Sequence, residues 1–466
     1  MTTNRSESVV VAATAFPPWV LFEHCCTVEV LGYSSSIADT KTMAASRTTT
    51  SLPVTVSLCL AAPPEGSRVC IQLACRDGDV HAEDIYSVIL AAHGASVLLE
   101  IWGNDSNTID HFVYNADNAA ADPPRPPSLC LLPCNGKGWR RFMYKNATGI
   151  LCRGEDELVA VELNMLDVHG APVGPVVPGT VFELRLLRYQ GSGGGGWSVK
   201  RPKISHYHSK GGGELPSSWR NDVIVPFGDR LCWVDLQRGL LLSDVLDEEN
   251  PGLRFVPLPE DPFFGRAPYR NVCVTACGGA MKFVNIFPRC CCSGAGWSYC
   301  RSSHHAYTVH TWTLTTEDMA WVKDGTMDTT QIWAVDRYKS LPLPHVRLEF
   351  PVVSLDEPHA ICFVVCEDHH VKNGDKTTWR IMVDMRSVTL RSAAFRYPEE
   401  RWHNAGYRLL VPSRVSDYFN SEPSSSGSKI GVSQAGTVPN SGVSDLDRPT
   451  CESSSSAPMQ KHLHWR

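Results

Sequence analysis

The sequence predicts an all-β chain folded as a β-propeller, with about five visible four-stranded blades and a sixth formed from N- and C-terminal strands. Three observations carry that reading. One segment reads as four consecutive short strands, the same four-run pattern recurs along the chain, and the second run of each unit is the most continuously apolar. Two packed β-sandwich domains are the competing arrangement.

The template is Asp222–Pro259, whose residues after the first read VIVPFGDRLCWVDLQRGLLLSDVLDEENPGLRFVPLP. Its runs are Asp222–Phe227, Leu231–Leu236, Leu240–Leu246 and Leu253–Leu258, punctuated by Gly228-Asp229, Gln237-Arg238-Gly239 and Asn250-Pro251-Gly252. The pattern returns as Ser87–Ala92, Ser96–Trp102, His111–Asn115 and Ser128–Pro133, then as Gly149–Arg153, Leu158–Asn164, Val181–Tyr189 and Trp197–Ile204. After the template it returns as Asn271–Ala276, Met281–Phe287, Tyr307–Leu314 and Met319–Lys323, and as Val346–Val353, Ile361–Cys366, Trp379–Asp384 and Val388–Phe395. The second runs, LLEIW, LVAVEL, LCWVDL, MKFVNIF and ICFVVC, suit strands covered on both faces by neighbouring blades. Phe16–Leu21, Val54–Leu60, Arg68–Leu73 and Tyr407–Val411 remain, and pairing the two ends would close the ring.

Two unit ends echo each other. SLCLLP at Ser128–Pro133 and LRFVPLP at Leu253–Pro259 are apolar runs stopped by proline, which belongs at strand ends or outer edges because it cannot donate to a ladder. Residues 1–15 read as a flexible N-terminus and 16–419 as the propeller-like domain. Residues 420–466, rich in serine, glycine and proline, read as a disordered tail. Helix signals are few; Ser416–Phe419 would give at most a turn.

Composition narrows the functional classes. A chain of 466 residues with 43% hydrophobic and 20% charged residues fits a folded protein, and a formal charge of -6 offers no general attraction to nucleic acid or anionic membrane. The apolar run Val9–Ala13 is short for a secretory signal. The expected compartment is therefore the cytosol or nucleus. There the 18 cysteines are mainly reduced thiols, and the sequons at Asn4, Asn104 and Asn146 carry no weight.

LCWVDLQRGLLLSDVL followed by PGLRFVPLPEDP resembles the signature of a grass-expanded plant family, the domain-of-unknown-function 1618 family. FPPWVLFE and GEDELVAVELNM are similar to the upstream region of its members. The resemblance covers the chain to about Asn420 and implies no reaction, substrate or catalytic residue. There is a more distant similarity to F-box-associated propeller regions, without the leucine-rich helical opening of an F-box.

Candidate chemistry is sparse. Cys290, Cys291, Cys292, Cys300, His304 and His305 are zinc-type ligands, but adjacent cysteines cannot all converge on one ion, so no metal is expected. Cys25 beside His24, and Cys366 near His369 and His370, juxtapose a thiol and an imidazole in sequence only. Among the template's carboxylates, Asp235 and Asp244 suit hydrogen bonds to turn amides and strand-end donors better than paired acid catalysis, and no glycine loop cradles phosphate. Trp233, Asp235, Gly239, Asp244, Pro257 and Pro259 thus read as blade architecture. No catalytic residue and no cofactor are expected.

Trp102, Trp233 and Trp379 fall inside apolar runs and read as core. Trp139, Trp219, Trp297, Trp321 and Trp402 fall in or near connecting segments beside basic residues and read as anchors for a protein or peptide partner. The expectation is a non-catalytic interaction scaffold that binds through propeller loops. The alternative is a hydrolase working in the central channel.

Overall fold

The computed structural model describes residues 15–30, 39–73, 86–102, 108–116, 125–133, 143–153, 157–167, 169–173, 179–190, 194–206, 219–247, 249, 251–259, 268–275, 278–289, 306–315, 317, 319–366, 378–396 and 410–420. All lie within the compact unit Met1–Pro423. The expected tail from residue 421 onward lies outside the described residues.

Six small, mainly antiparallel sheets form a six-bladed propeller. The N-terminal strands β1 (Val20–Glu23), β2 (Thr27–Val30), β3 (Ala44–Arg47), β4 (Pro53–Cys59) and β5 (Gly66–Leu73) belong to the closing blade. The first blade is β6 (Ser87–His93), β7 (Ser96–Trp102), β8 (Ile109–Asn115) and β9 (Ser128–Leu131). The second is β10 (Thr148–Arg153), β11 (Glu157–Leu166), β12 (Val181–Gln190) and β13 (Gly194–Lys200). β14 (Ile204–His206) joins β15 (Val223–Phe227), β16 (Arg230–Asp235), β17 (Gly239–Ser243) and β18 (Leu253–Pro257) in the third blade. The fourth comprises β19 (Arg270–Thr275), β20 (Ala280–Pro288), β21 (Tyr307–Thr315) and β22 (Trp321–Asp328). After the short helices α1 (Thr329–Trp333) and α2 (Asp336–Lys339) comes the fifth blade, β23 (Glu349–Val353), β24 (Ala360–Cys366), β25 (Thr378–Asp384) and β26 (Thr389–Arg396). β27 (Leu410–Ser413) completes the closing blade as its innermost strand, antiparallel to β1, with Val20 opposite Ser413 and Glu23 opposite Leu410.

The first strands of the blades pack against one another around the axis: β6 on β10, β10 on β15, β15 on β19, β19 on β23, and β27 on β6. Their partners, the second strands, are buried over almost their whole length, as the continuous apolar runs require. The core is a set of seams between neighbouring blades. Val20, Val56 and Ile71 meet Leu99 and Tyr114 across the closing-to-first seam, and Val161 and Leu184 meet Trp233 and Leu241 across the second-to-third. Each fully buried side chain of this kind contributes about 1.5–3 kcal/mol by leaving water.

Several boundaries differ from the sequence expectation, with identifiable causes. The run expected at Phe16–Leu21 begins its ladder only at Val20, because Pro17 and Pro18 have no N–H to donate. The run Trp197–Ile204 divides at Pro202: its first part stays in the second blade as β13, while β14 crosses to the third and pairs in parallel with β18. β18 is therefore not the outer strand of its blade. β2 and β3 are additional strands of the closing blade, and α1 is started by a capping box in which Asp328 and Gln331 each bond the other's backbone. The expected turn at Ser416–Phe419 is a single 3-10 turn, Asp417–Asn420.

Candidate functional site

The tryptophans expected at the surface are used differently. Trp219 is 0% exposed; its indole N–H bonds Asn221 Oδ1 at 2.8 Å and its ring meets Phe255 edge-on, so it has no surface to present to a partner. Trp321, at the start of β22, is half-buried and donates its indole N–H to the Pro257 carbonyl of the preceding blade at 2.9 Å. Trp197 on β13 does the same to the Pro133 carbonyl at 3.1 Å. These are latches from the outer strand of one blade to the outer half of the preceding blade, and the two proline-stopped runs supply the acceptors. Trp139, Trp297 and Trp402 lie outside the described residues.

Trp233 and Trp379 are buried, and Trp102 is half-buried. Trp233 bonds the Ala147 carbonyl at 2.7 Å, tying the third blade to the second. Asp235, fully buried, accepts the Arg220 and Gln237 amides, both at 2.9 Å, and so holds both chain segments that flank β15 and β16. Gly239 allows β17 to lie close to β18, since a Cβ there would stand 2.4 Å from the Val256 carbonyl oxygen. Asp244 and Pro259 are exposed; Asp244 lies just beyond β17, where its carboxylate bonds no turn amide among the described residues.

The candidate zinc ligands Cys290, Cys291, Cys292, Cys300, His304 and His305, with His369 and His370, lie outside the described residues, among which no metal-ligating cluster occurs. The pair His24 and Cys25 is tuned against nucleophilic catalysis. Burial, reinforced by the Lys145 charge, lowers the His24 imidazole to about 3, and burial pushes the Cys25 thiol up to about 11. Along the six innermost strands, Glu349 is the single carboxylate.

A different site emerges on the third blade. Ser205, Arg254 and Leu242 are register neighbours across β14, β18 and β17, so Arg254 and Leu242 share one face. On that face Leu240, Val234 and Val256 are buried against the fourth blade. Toward the end carrying the β15–β16 turn and the β17–β18 connection, the face opens into a cavity of about 550 Å³ lined chiefly by Arg201, Lys203, Arg230, Arg254, Asp244 and Asp247. The sequence signal for it is Arg254, a cation in an alternating run on the same face as buried apolar residues.

The charges there are unevenly matched. Glu183 Oε2 pairs with Arg201 at 3.3 Å from Nε and 3.2 Å from Nη2, which leaves this cation matched at the exposed rim. Among the described residues no carboxylate stands within ion-pair distance of Lys203, Arg230 or Arg254, whereas Arg185, Arg188, Arg220, Arg238, Arg380 and Arg414 each contact one. Asp247, whose Oδ1 accepts the Glu249 amide at 3.0 Å, and exposed Asp244 are the two carboxylates that face these cations in the cavity lining. Such a cavity can take an anionic group against several donors at once.

Residues 233–362 match the model of a family described as a protein of unknown function (DUF1618). Among solved structures, the chain is similar to the WD40 domain of SCAP from fission yeast, at 10% identity, 82% of this chain, 90% of that chain and a TM-score of 0.28. It is also similar to the phage phi92 endosialidase, at 8% identity, 77% of this chain, 64% of that chain and a TM-score of 0.24. No curated protein matches the chain.

Proposed function

We propose that this propeller is a non-catalytic interaction scaffold that binds a protein or peptide partner, with the third-blade cavity as part of the docking surface. The observation that carries the reading is the position of the convergent polar groups. They line an open cavity between strand ends at the blade's outer half, while the innermost strands offer only Glu349 where a channel hydrolase of the paired-carboxylate type needs two acids. Rigid blades presenting connections at their ends suit recognition by many loops at once. The partner is a protein or peptide in this reading, not a nucleic acid or membrane, since the chain's formal charge is -6. Trp139, Trp297 and Trp402 remain proposed anchors, the cytosol or nucleus the proposed compartment, and the serine-rich tail a proposed docking or phosphorylation segment. We extend family membership to the whole chain up to about Asn420, within the grass-expanded plant family and its distant kinship to F-box-associated propellers.

The test is affinity capture with the wild-type chain and with the charge-reversed variant Lys203→Glu/Arg254→Glu, alongside a hydrolase substrate screen. A reproducible partner lost in the variant supports the reading. Hydrolase activity without any partner overturns it in favour of the channel enzyme.

A further inference from the structure

We infer that the third-blade cavity selects its partner by an anionic side chain, a phosphate or a carboxylate, carried on an extended peptide; this deepens the scaffold reading and rests on it. Three features of the site lead there. Lys203, Arg230 and Arg254 converge on one cavity with no carboxylate within ion-pair distance among the described residues, and these three cations outnumber the two carboxylates, Asp244 and Asp247, that share the lining. The volume, about 550 Å³, is in the range of small-ligand clefts and has room for an anionic side chain together with its neighbouring peptide groups. Beside the cations runs β14, the terminal strand of its sheet among the described residues, which offers backbone groups to a peptide next to the charge site.

Charge also sets the size of the ligand. With a formal charge of -6 over the chain, a polyanion is repelled beyond the cavity, while a single phosphate or carboxylate lies within reach of the local cations, inside the screening length of about 8–10 Å. Guanidinium forks from Arg230 and Arg254 can each meet two oxygens of such a group, with Lys203 adding a point charge.

The experiment is fluorescence anisotropy with three short degenerate peptide libraries that carry a central phosphoserine, aspartate or serine. Each is measured on the full chain, wild type and the variants Lys203→Gln, Arg230→Gln and Arg254→Gln, with inorganic phosphate as competitor at matched ionic strength. The expected result is binding of an anionic library, weakened about ten-fold or more by each variant and by added phosphate. Preference between phosphoserine and aspartate identifies the source of the charge. Equal binding of the serine library leaves the scaffold reading standing and overturns anion selection. Anionic binding that no variant weakens overturns the site, and no binding by any library overturns the anion-selective peptide inference while the affinity capture separately decides the scaffold reading. Unchanged thermal midpoints of the variants confirm that the comparison is between folded proteins.

Discussion

The Asn420 side-chain amide grips the backbone of Phe16 from both sides: its Oδ1 accepts the Phe16 amide at 2.8 Å and its Nδ2 donates to the Phe16 carbonyl at 2.9 Å. The Phe419 ring lies 5.6 Å from that of Phe16, and β1 pairs with β27 just beyond. Residues 404 apart in sequence thus form a clasp on the closing blade.

Removing the clasp should weaken closure without touching any other blade. Asn420→Ala loses two neutral hydrogen bonds and is expected to cost about 2 kcal/mol. Urea unfolding gives the size, and hydrogen exchange gives the place: β1 and β27 amides should lose protection first. Uniform loss of protection across all blades would show that the clasp is not what closes the ring.

The closing-to-fifth seam carries a buried ion pair, Arg380 Nη2 to Glu23 Oε1 at 3.1 Å. Gly66 makes room for it, since a Cβ there would stand 2.2 Å from Arg380 Nη1. Glu23→Ala strands a buried guanidinium and is expected to cost about 3–5 kcal/mol, more than the double variant Glu23→Gln/Arg380→Met. Gly66→Ala should destabilise the wild type by displacing Arg380, and much less so the Arg380→Ala background. A double-mutant cycle by thermal or urea unfolding checks both, and additive effects would refute the steric link.

His24 makes stability depend on pH. Its side chain is 4% exposed, Nδ1 has no partner among the described residues, and burial with the nearby Lys145 charge lowers the imidazole from 6.5 to about 3. Below pH 6.5 the unfolded chain takes up a proton that the folded one refuses, so stability is full above 6.5 and is lost as pH falls toward 3. The expected loss from this group is about 2 kcal/mol between pH 6.5 and 5. Unfolding free energies at these two values should differ less in His24→Phe. Titration of the folded His24 ring above pH 5 by NMR would contradict the account.

The indole latches predict a graded response. Trp321→Phe keeps the ring packing against Phe283, whose centroid lies 6.1 Å away, and loses only the bond to Pro257; a cost of about 1 kcal/mol is expected. Trp321→Ala also loses packing and should cost about 3 kcal/mol. The same ordering should hold for Trp197, whose acceptor is likewise 64 residues away in sequence. Equal costs for the Phe and Ala replacements in urea unfolding would assign the whole effect to the hydrogen bond.

Much of the blade order was legible because strands announce themselves locally. VIVPF, LCWVDL and GLLLS are short apolar runs between turns, and each became a strand of the third blade; the first two end within one residue of expectation, and the third stops at Ser243, three residues before the expected Leu246. β14 and β3 were not legible: ISH is too short for periodicity, and AASR lacks an apolar run, so only their partners make them strands. The cation site was illegible for a related reason. Arg201, Lys203, Arg230 and Arg254 are ordinary basic residues in sequence, and their convergence exists only once Pro202 sends β14 across to β18. Trp219 looked like a surface residue from its basic neighbour Arg220, yet Phe255, 36 positions later, covers it.

By itself the sequence determined that this is an all-β chain of repeated four-strand units with buried second strands, because period and turn chemistry act within a few residues. Only the tertiary structure decided which strand closes the ring, which blade receives β14, whether a tryptophan serves as core or latch, and where positive charge is left unmatched. Those outcomes depend on register and on the meeting of residues tens to hundreds of positions apart, which no local pattern encodes.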